Sequence, residues 1–307
     1  MEDNEKRFII DEENAGIRID KALGSLINEC TRSYVQKLIK DNNIRVNDKE
    51  IKSNYILKLK DEVIIYLPEI KELDVLAQNI ELSVLYEDDD VIVIDKPKNM
   101  VVHPAAGHRE NTLVNALLYH CKGNLSEING VLRPGIVHRI DKDTTGSIIA
   151  CKNDMAHKAI SAQLKEHSLT RTYRAIVIGK LSEETGTINA PIARHRTDRK
   201  KMSISEKNGK EAITHYKVLS TNGKYSYIEC NLETGRTHQI RVHMASIGHP
   251  ILGDETYSKV STKFKLQGQC LHAFQLGFIH PRTNKYIEVS APVPEYFNDI
   301  LDRCFLK

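Results

Sequence analysis

The chain has 307 residues, 40% apolar and 28% charged, with a formal net charge of +3. At about 150 residues per domain this length gives one large domain or two unequal ones, and the balance excludes disordered, collagenous and disulfide-scaffold classes. The N-terminal MEDNEKRFIIDEENAG has no apolar leader and no stretch approaches the roughly 18 apolar residues that span a bilayer, so a cytoplasmic protein without membrane contact is expected.

In chain order, residues 1–16 carry six acids against two bases and read as an acidic N-terminal tail. From Arg18 the spacing puts Ile19, Ala22, Leu23, Leu26 and Ile27 on one helical face. A second helix is expected from Thr31 as N-cap, with Val35, Leu38 and Ile39 inside and Arg32, Gln36, Lys37 and Lys40 outside. Ile44–Val46 and Asp61–Ile65 read as short strands, the first ending in the Asn47-Asp48-Lys49 turn. Residues 31–60 hold eight bases against three acids, and residues 194–210 seven against two. Two basic patches in a nearly neutral chain suit a phosphate backbone, although a solvated lysine-rich surface gives the same pattern.

Residues 69–81 turn acidic and read as a linker. Beyond it, strands are expected at 82–86, 91–95, 147–151, 173–178, 212–219 and 225–232, and helices at 113–119, 154–167 and 237–247, the last with Ile240, Met244 and Ile247 inward. Strands outnumber helices and often follow one another directly, which favours an α+β fold. The six cysteines show no C-x-x-C spacing and read as reduced core residues, and the thirteen histidines include no H-E-x-x-H. Neither G-x-G-x-x-G nor a Walker sequence occurs. No metal or organic cofactor is expected.

Residues 17–68, through Arg18-Ile19-Asp20-Lys21-Ala22-Leu23, Arg32-Ser33 to Ile39 and Val46-Asn47, resemble the alpha-L RNA-binding domain of the ribosomal-protein S-four type. In the remainder, three segments concentrate polar residues beside core elements: His138 to Gly146, Arg171-Thr172-Tyr173, and Thr234 to His243. Taken singly, a loop aspartate is usually a cap and a strand tyrosine usually a filler. Together with Gly248-His249-Pro250 to Asp254, Asp95-Lys96-Pro97, Val102-His103-Pro104, Asp198 to Met202 and His272 to Pro281, they resemble the RluA-type pseudouridine synthases across residues 82–307. Departures from the family pattern are Ile140, Thr145, Asn99 and Asn111 where glycine is common, and Ala193 to Arg196. Asparagine tolerates a positive φ, so the first loop is expected to keep its shape.

The resemblance implies the pseudouridine synthase fold, a mixed and mostly antiparallel central sheet with flanking helices and loops. It implies isomerisation of uridine in structured RNA by a monomer, with ribosomal RNA of the large subunit suggested by the N-terminal module. Asp141 is then the essential carboxylate, acting on the ribose as nucleophile or base. Arg241 pairs with it and holds it ionised, and Tyr173 stacks on the uracil. Arg139 helps extrude the nucleotide, and Arg236, His238, Arg199, Lys200, Lys201, Arg32 and Lys37 are candidate RNA contacts. Three competing readings are a transfer-RNA-directed synthase, a base-releasing N-glycosylase, and a non-catalytic RNA-binding or ribosome-assembly factor.

Overall fold

The computed structural model describes residues 5–26, 32–66, 75–104, 108–130, 133–260, 264 and 266–305, and the chain divides into two units, Met1–Leu73 and Asp74–Lys307. The first unit contains β1 (Glu5–Ile9), α1 (Ile19–Leu26), α2 (Arg32–Lys40), β2 (Ile44–Val46), β3 (Lys49–Glu50) and β4 (Glu62–Tyr66). Its antiparallel sheet runs β1-β4-β2-β3. Asn47 and Asp48 both have positive φ, 50° and 58°, the geometry a two-residue hairpin needs. Ile19, Leu23, Val35, Leu38, Ile44 and Val63 form the core.

The segment expected as an acidic tail is corrected here. Lys6-Arg7-Phe8-Ile9 pairs with β4, and Ile10 is buried in the unit's core; four consecutive strand-compatible residues outweigh the flanking acids. Thr31 and Ile27 lie outside the described residues.

The second unit contains β5 (Ser83–Glu87), β6 (Val91–Lys96), α3 (Leu113–His120), β7 (Thr145–Cys151), α4 (Asp154–Lys165), β8 (Thr170–Ile178), β9 (Thr185–Asn189), β10 (Ile192–Arg194), β11 (Met202–Ile204), β12 (Ile213–Thr221), β13 (Tyr225–Leu232), α5 (Gln239–Ser246), β14 (Leu271–Ile279), β15 (Tyr286–Ser290) and α6 (Glu295–Phe305). Among the described residues, the main sheet follows the order β5-β6-β7-β14-β8-β13-β12-β9, with β15 off this path and paired to the later residues of β14, Gln275–Ile279. All its pairings are antiparallel except β7 with β14, so the expected mostly antiparallel α+β sheet is what forms.

β6 and β7 read as unbroken apolar runs because both faces are covered. Ile92, Ile94, Ile148 and Ala150 pack with Leu113 and Leu117 of α3, whereas Val91, Val93 and Ile149 pack with Ala156 and Ile160 of α4. Thr112 caps α3 and Asn153 caps α4 through side-chain acceptors. The later part of the expected linker belongs to this unit: the Gln78 N–H donates to Asn115 O, and Asn115 Nδ2 donates to Leu76 O. Residues 67–74 lie outside the described set. The basic stretch 194–210 begins inside the β10–β11 hairpin, in which Ile192–Arg194 pairs with Met202–Ile204. Asn99 and Asn111 both take positive φ, as their replacement of glycine required. No helix of the described residues is long and apolar enough to cross a membrane.

Candidate active site

The turn entering α5 is built around one buried side chain. Gln239 Oε1 accepts from the Arg236 N–H at 2.9 Å and from Thr234 Oγ1 at 2.8 Å, while its Nε2 donates to Ile213 O and Thr214 Oγ1. His243 continues the chain of bonds, with Nδ1 against Thr214 Oγ1 and Nε2 against Ala190 O. With both ends of the turn tied to β12, His238 is held in the left-handed region at φ 57°, a conformation histidine adopts more readily than most residues. Ile240 and Met244 pack inward as expected, but Ile247 is exposed because the helix ends at Ser246.

The loop carrying Asp141 is anchored from several directions. Lys96 is fully buried and its Nζ donates to Pro97 O, Met100 O and Lys142 O at 2.7, 2.9 and 3.0 Å. Burial pulls the Lys96 pKa down to about 7, against the opposing pull of Asp143, Asp141 and Asp95. Gln269 donates to Thr144 Oγ1, Thr145 Oγ1 meets His272 Nδ1 at 2.9 Å, and Ser147 Oγ donates to Ala273 O. Gly146, at φ 106°, brings β7 so close to β14 that a Cβ there would lie 2.3 Å from Ala273 O.

Between these two elements sits an ion-pair chain. Arg241 Nε and Nη2 donate to Asp254 Oδ2 and Oδ1 at 2.7 and 2.9 Å, and Nη1 donates to Asp141 Oδ2 at 3.0 Å. Asp254 is fully buried and also accepts from the Thr256 and Tyr257 N–H groups. Burial works against the Arg241 charge, yet the bonds to Asp254 and the field of both carboxylates outweigh it and raise its pKa above the usual guanidinium value.

The other Asp141 oxygen, Oδ1, lies 3.8 Å from His238 Nε2. His238 Nδ1 is 2.8 Å from Tyr257 Oη, which itself accepts from the Met202 N–H. Burial lowers the His238 pKa despite the attraction of Asp141, so the ring is neutral near pH 7.

Arg139, Asp141, Tyr173, Arg236, His238 and Arg241 line one cleft of about 50 Å³, and Arg139, Asp141, Tyr173 and Arg236 also line a groove of about 480 Å³ that adds Arg171. Burial pushes the Tyr173 phenol up to about 12. Arg139 is exposed at the rim, and Arg236 donates from Nε to Glu211 O. Arg199, Lys200 and Lys201 are not cleft residues: they lie on the turn of the β10–β11 hairpin, whose Met202 is the residue bonded to Tyr257. Arg32 and Lys37 fall on α2, and their side chains lie outside the described residues. Sequence reasoning gave no role to Lys96, Gln239, Asp254 or Tyr257. The first three stood inside quoted motifs, and their burial as polar residues is the signal that marks them.

Among the described residues, Asp88, Asp90 and His280 bring potential metal ligands within 4.8 Å of one another. Their oxygens are already engaged: Arg282 takes both oxygens of Asp90 at 2.7 and 2.6 Å, and Tyr86 and His280 share Asp88 Oδ2. The Arg282 bond, outweighing burial, lowers the Asp90 pKa to about 2. These partners make the cluster an internal ion-pair network.

Residues 90–246 match the family model for RNA pseudouridylate synthase, and residues 17–63 match the S4 domain. The chain is 49% identical over 291 residues to "Uncharacterized RNA pseudouridine synthase YlyB" of Bacillus subtilis (strain 168), covering 95% of both chains. It is 45% identical over 300 residues to "Ribosomal large subunit pseudouridine synthase D" of Zymomonas mobilis, covering 94% of each. Among solved structures, human RNA Pseudouridylate Synthase Domain Containing 1 is 28% identical with a TM-score of 0.57, over 70% of this chain and 85% of that one. These matches, over the same segments that form the cleft, make the chain a member of the RNA pseudouridine synthase family, an isomerase with an S4 domain ahead of its catalytic unit.

Proposed function

We propose that the chain isomerises uridine to pseudouridine in ribosomal RNA of the large subunit, with Asp141, Arg241 and Tyr173 at the reacting centre. One observation carries this reading: Arg241 is clamped between a buried carboxylate, Asp254, and a cleft carboxylate, Asp141, through Asp141 Oδ2, leaving Oδ1 with His238 Nε2 at 3.8 Å in the cleft that Tyr173 also lines. The reaction breaks the bond from uracil N1 to the ribose, turns the base, joins C5 to the same ribose carbon and releases the C5 proton to solvent while N1 takes up a proton, with no change of mass. Attack on the ribose carbon and removal of a ribose proton both require an ionised carboxylate with one oxygen free, and Arg241 supplies a permanent counter-charge to the other oxygen. Tyr173 offers a ring face to hold the uracil through its rotation. Arg139, exposed and lining the cleft, fills the gap left by a flipped nucleotide in this reading.

Large-subunit RNA is favoured by the name of the Zymomonas relative, and the S4 domain and the basic hairpin carrying Arg199, Lys200 and Lys201 suit docking on folded RNA. Residues 17–68, including Arg32 and Lys37, supply docking in this reading and residues 82–307 the chemistry, in a cytoplasmic monomer.

Asp141→Asn keeps the shape of the site but cannot attack or accept a proton. Tritium release from uracil-labelled ribosomal RNA is expected to vanish while RNA binding persists. A rate within about tenfold of wild type removes Asp141 from the chemistry. Mapping pseudouridines in total RNA from cells with and without the gene tests the substrate, and loss confined to transfer RNA overturns the ribosomal assignment.

A further inference from the structure

The second unit buries two arginines beside Tyr173 and treats them in opposite ways. Arg241, 6% exposed, meets two carboxylates. Arg171, 8% exposed, meets none among the described residues. Its Nη2 donates to Glu233 O at 2.9 Å, and its buried Nε has no hydrogen-bond partner. Burial lowers its pKa, and Tyr173 is the one ionisable group that opposes this. A guanidinium carries five donors in a fixed fork, and a single carbonyl leaves that fork mostly unused. Burying a charge without a partner is unfavourable, so a partner arriving from outside accounts for the arrangement.

The surroundings indicate what that partner is. Arg171 precedes Tyr173 by two residues on β8, so both side chains leave the same face of the strand. The groove they share is lined by the cations Arg139, Lys165, Arg171 and Arg236, with His167 at its edge and Asp141 as its single acid. Gly235 opens it: a Cβ there would lie 2.5 Å from Arg171 Nη1. Lys165 and His167 are exposed at the end of α4. The groove is thus acidic only where the ribose would react and basic along the rest. We propose that it is a subsite for the RNA phosphodiester neighbouring the isomerised uridine, with Arg171 as the cation that takes a phosphate oxygen.

The inference rests on the reading of the chain as an RNA-directed enzyme, and its test is independent of turnover. The probe is a short 5′-labelled oligouridylate, bound to the full chain and followed by fluorescence anisotropy over a range of salt. A lost phosphate contact on a single strand flattens the slope of log K against log salt by about 0.7. Arg171→Met, which keeps length and burial, is expected to show that flattening together with about tenfold weaker binding at low salt. Arg171→Lys should keep the slope and lose affinity. A folded Arg171→Met protein with the wild-type slope overturns the subsite. Should that variant fail to fold, the double change Lys165→Ala and His167→Ala, at exposed positions, decides instead: a reduced slope supports the subsite and an unchanged one overturns it. A protein that binds oligouridylate through Arg171 yet leaves large-subunit RNA unmodified overturns the ribosomal assignment and leaves the subsite standing.

Discussion

The two units of the chain are both sheets covered by helices, but they use buried polarity differently. In the first unit Asp20 accepts from Arg18 and Gln36, and Asp61 accepts from Asn47, Tyr55 and the Lys58 N–H, bonds that close local turns or join neighbouring elements. In the second, buried polar residues form chains that meet at the cleft: Gln239 to Thr214 to His243, Arg241 to Asp254, and Lys96, Gln269 and His272 to the Asp141 loop. Some of these partners lie 100 residues or more apart in sequence. A binding module tolerates a site that adjusts to its ligand, whereas a reacting carboxylate must be held in place before the substrate arrives. The contrast therefore predicts that breaking a buried bond at the cleft costs both stability and turnover.

Arg241 gives the largest effect. Arg241→Ala leaves the fully buried Asp254 carboxylate without its counterion, a loss expected to reach about 3–5 kcal/mol, and it also frees Asp141. Isomerisation should fall nearly as far as in Asp141→Asn. Thermal melting and tritium release on the same preparation check both halves. Full activity in this variant would move the pairing role to Arg236 and break the comparison at its centre.

Most of the site was legible because its pieces are local runs of sequence. His138 to Gly146, Tyr173 and Arg241 stand in segments whose order carries the family pattern, and the structure brings all three segments to one cleft. What was not legible depends on contacts distant in sequence. Nothing near Asp254 says that Arg241 is its partner, and Lys96 looks like a surface lysine until Lys142 O is found against it. The same holds for the fold. β14, LHAFQLGFI, is buried along most of both faces and so lacks the alternation that marks a strand, while β9, β10 and β11 have no more than five residues each and give no period to read. β1 was hidden by its acidic flanks.

Gly146→Ala tests the anchoring of the Asp141 loop without touching a charge. The new Cβ would meet the Ala273 carbonyl of the paired strand, and the backbone there is in a region that side chains rarely adopt. Relief requires β7 and β14 to part, which loosens the Thr145–His272 and Ser147–Ala273 bonds at the same step. A stability loss of about 1–3 kcal/mol is expected, with kcat reduced more than KM. A variant that melts like wild type and turns over normally would show that the approach of the two strands does not position Asp141.

The response to mild acid separates the units most cleanly. The first unit contains no histidine, and all thirteen lie beyond residue 73. In the second unit burial, aided by Arg133 and Arg139, lowers the His103 pKa to about 4; burial aided by Arg171 lowers His138 to about 3; and burial lowers His272 to about 4 against its bond to Ala291 O. Unfolded, each titrates near 6.5. Between that value and the folded one the unfolded chain binds more protons, so stability is full above about pH 6.5 and falls as pH drops towards 4. Protonation also removes two acceptors, His138 Nε2 from the Ile149 N–H and His272 Nδ1 from Thr145, and the second of these holds the loop behind Asp141. Hydrogen exchange followed by mass spectrometry from pH 7.5 to 5, corrected for the intrinsic pH dependence, should show protection falling around Ile149 and Thr145 while the β1–β4 sheet of the first unit changes little. Equal losses in the two units would mean that the buried histidines do not set the acid response of the catalytic unit.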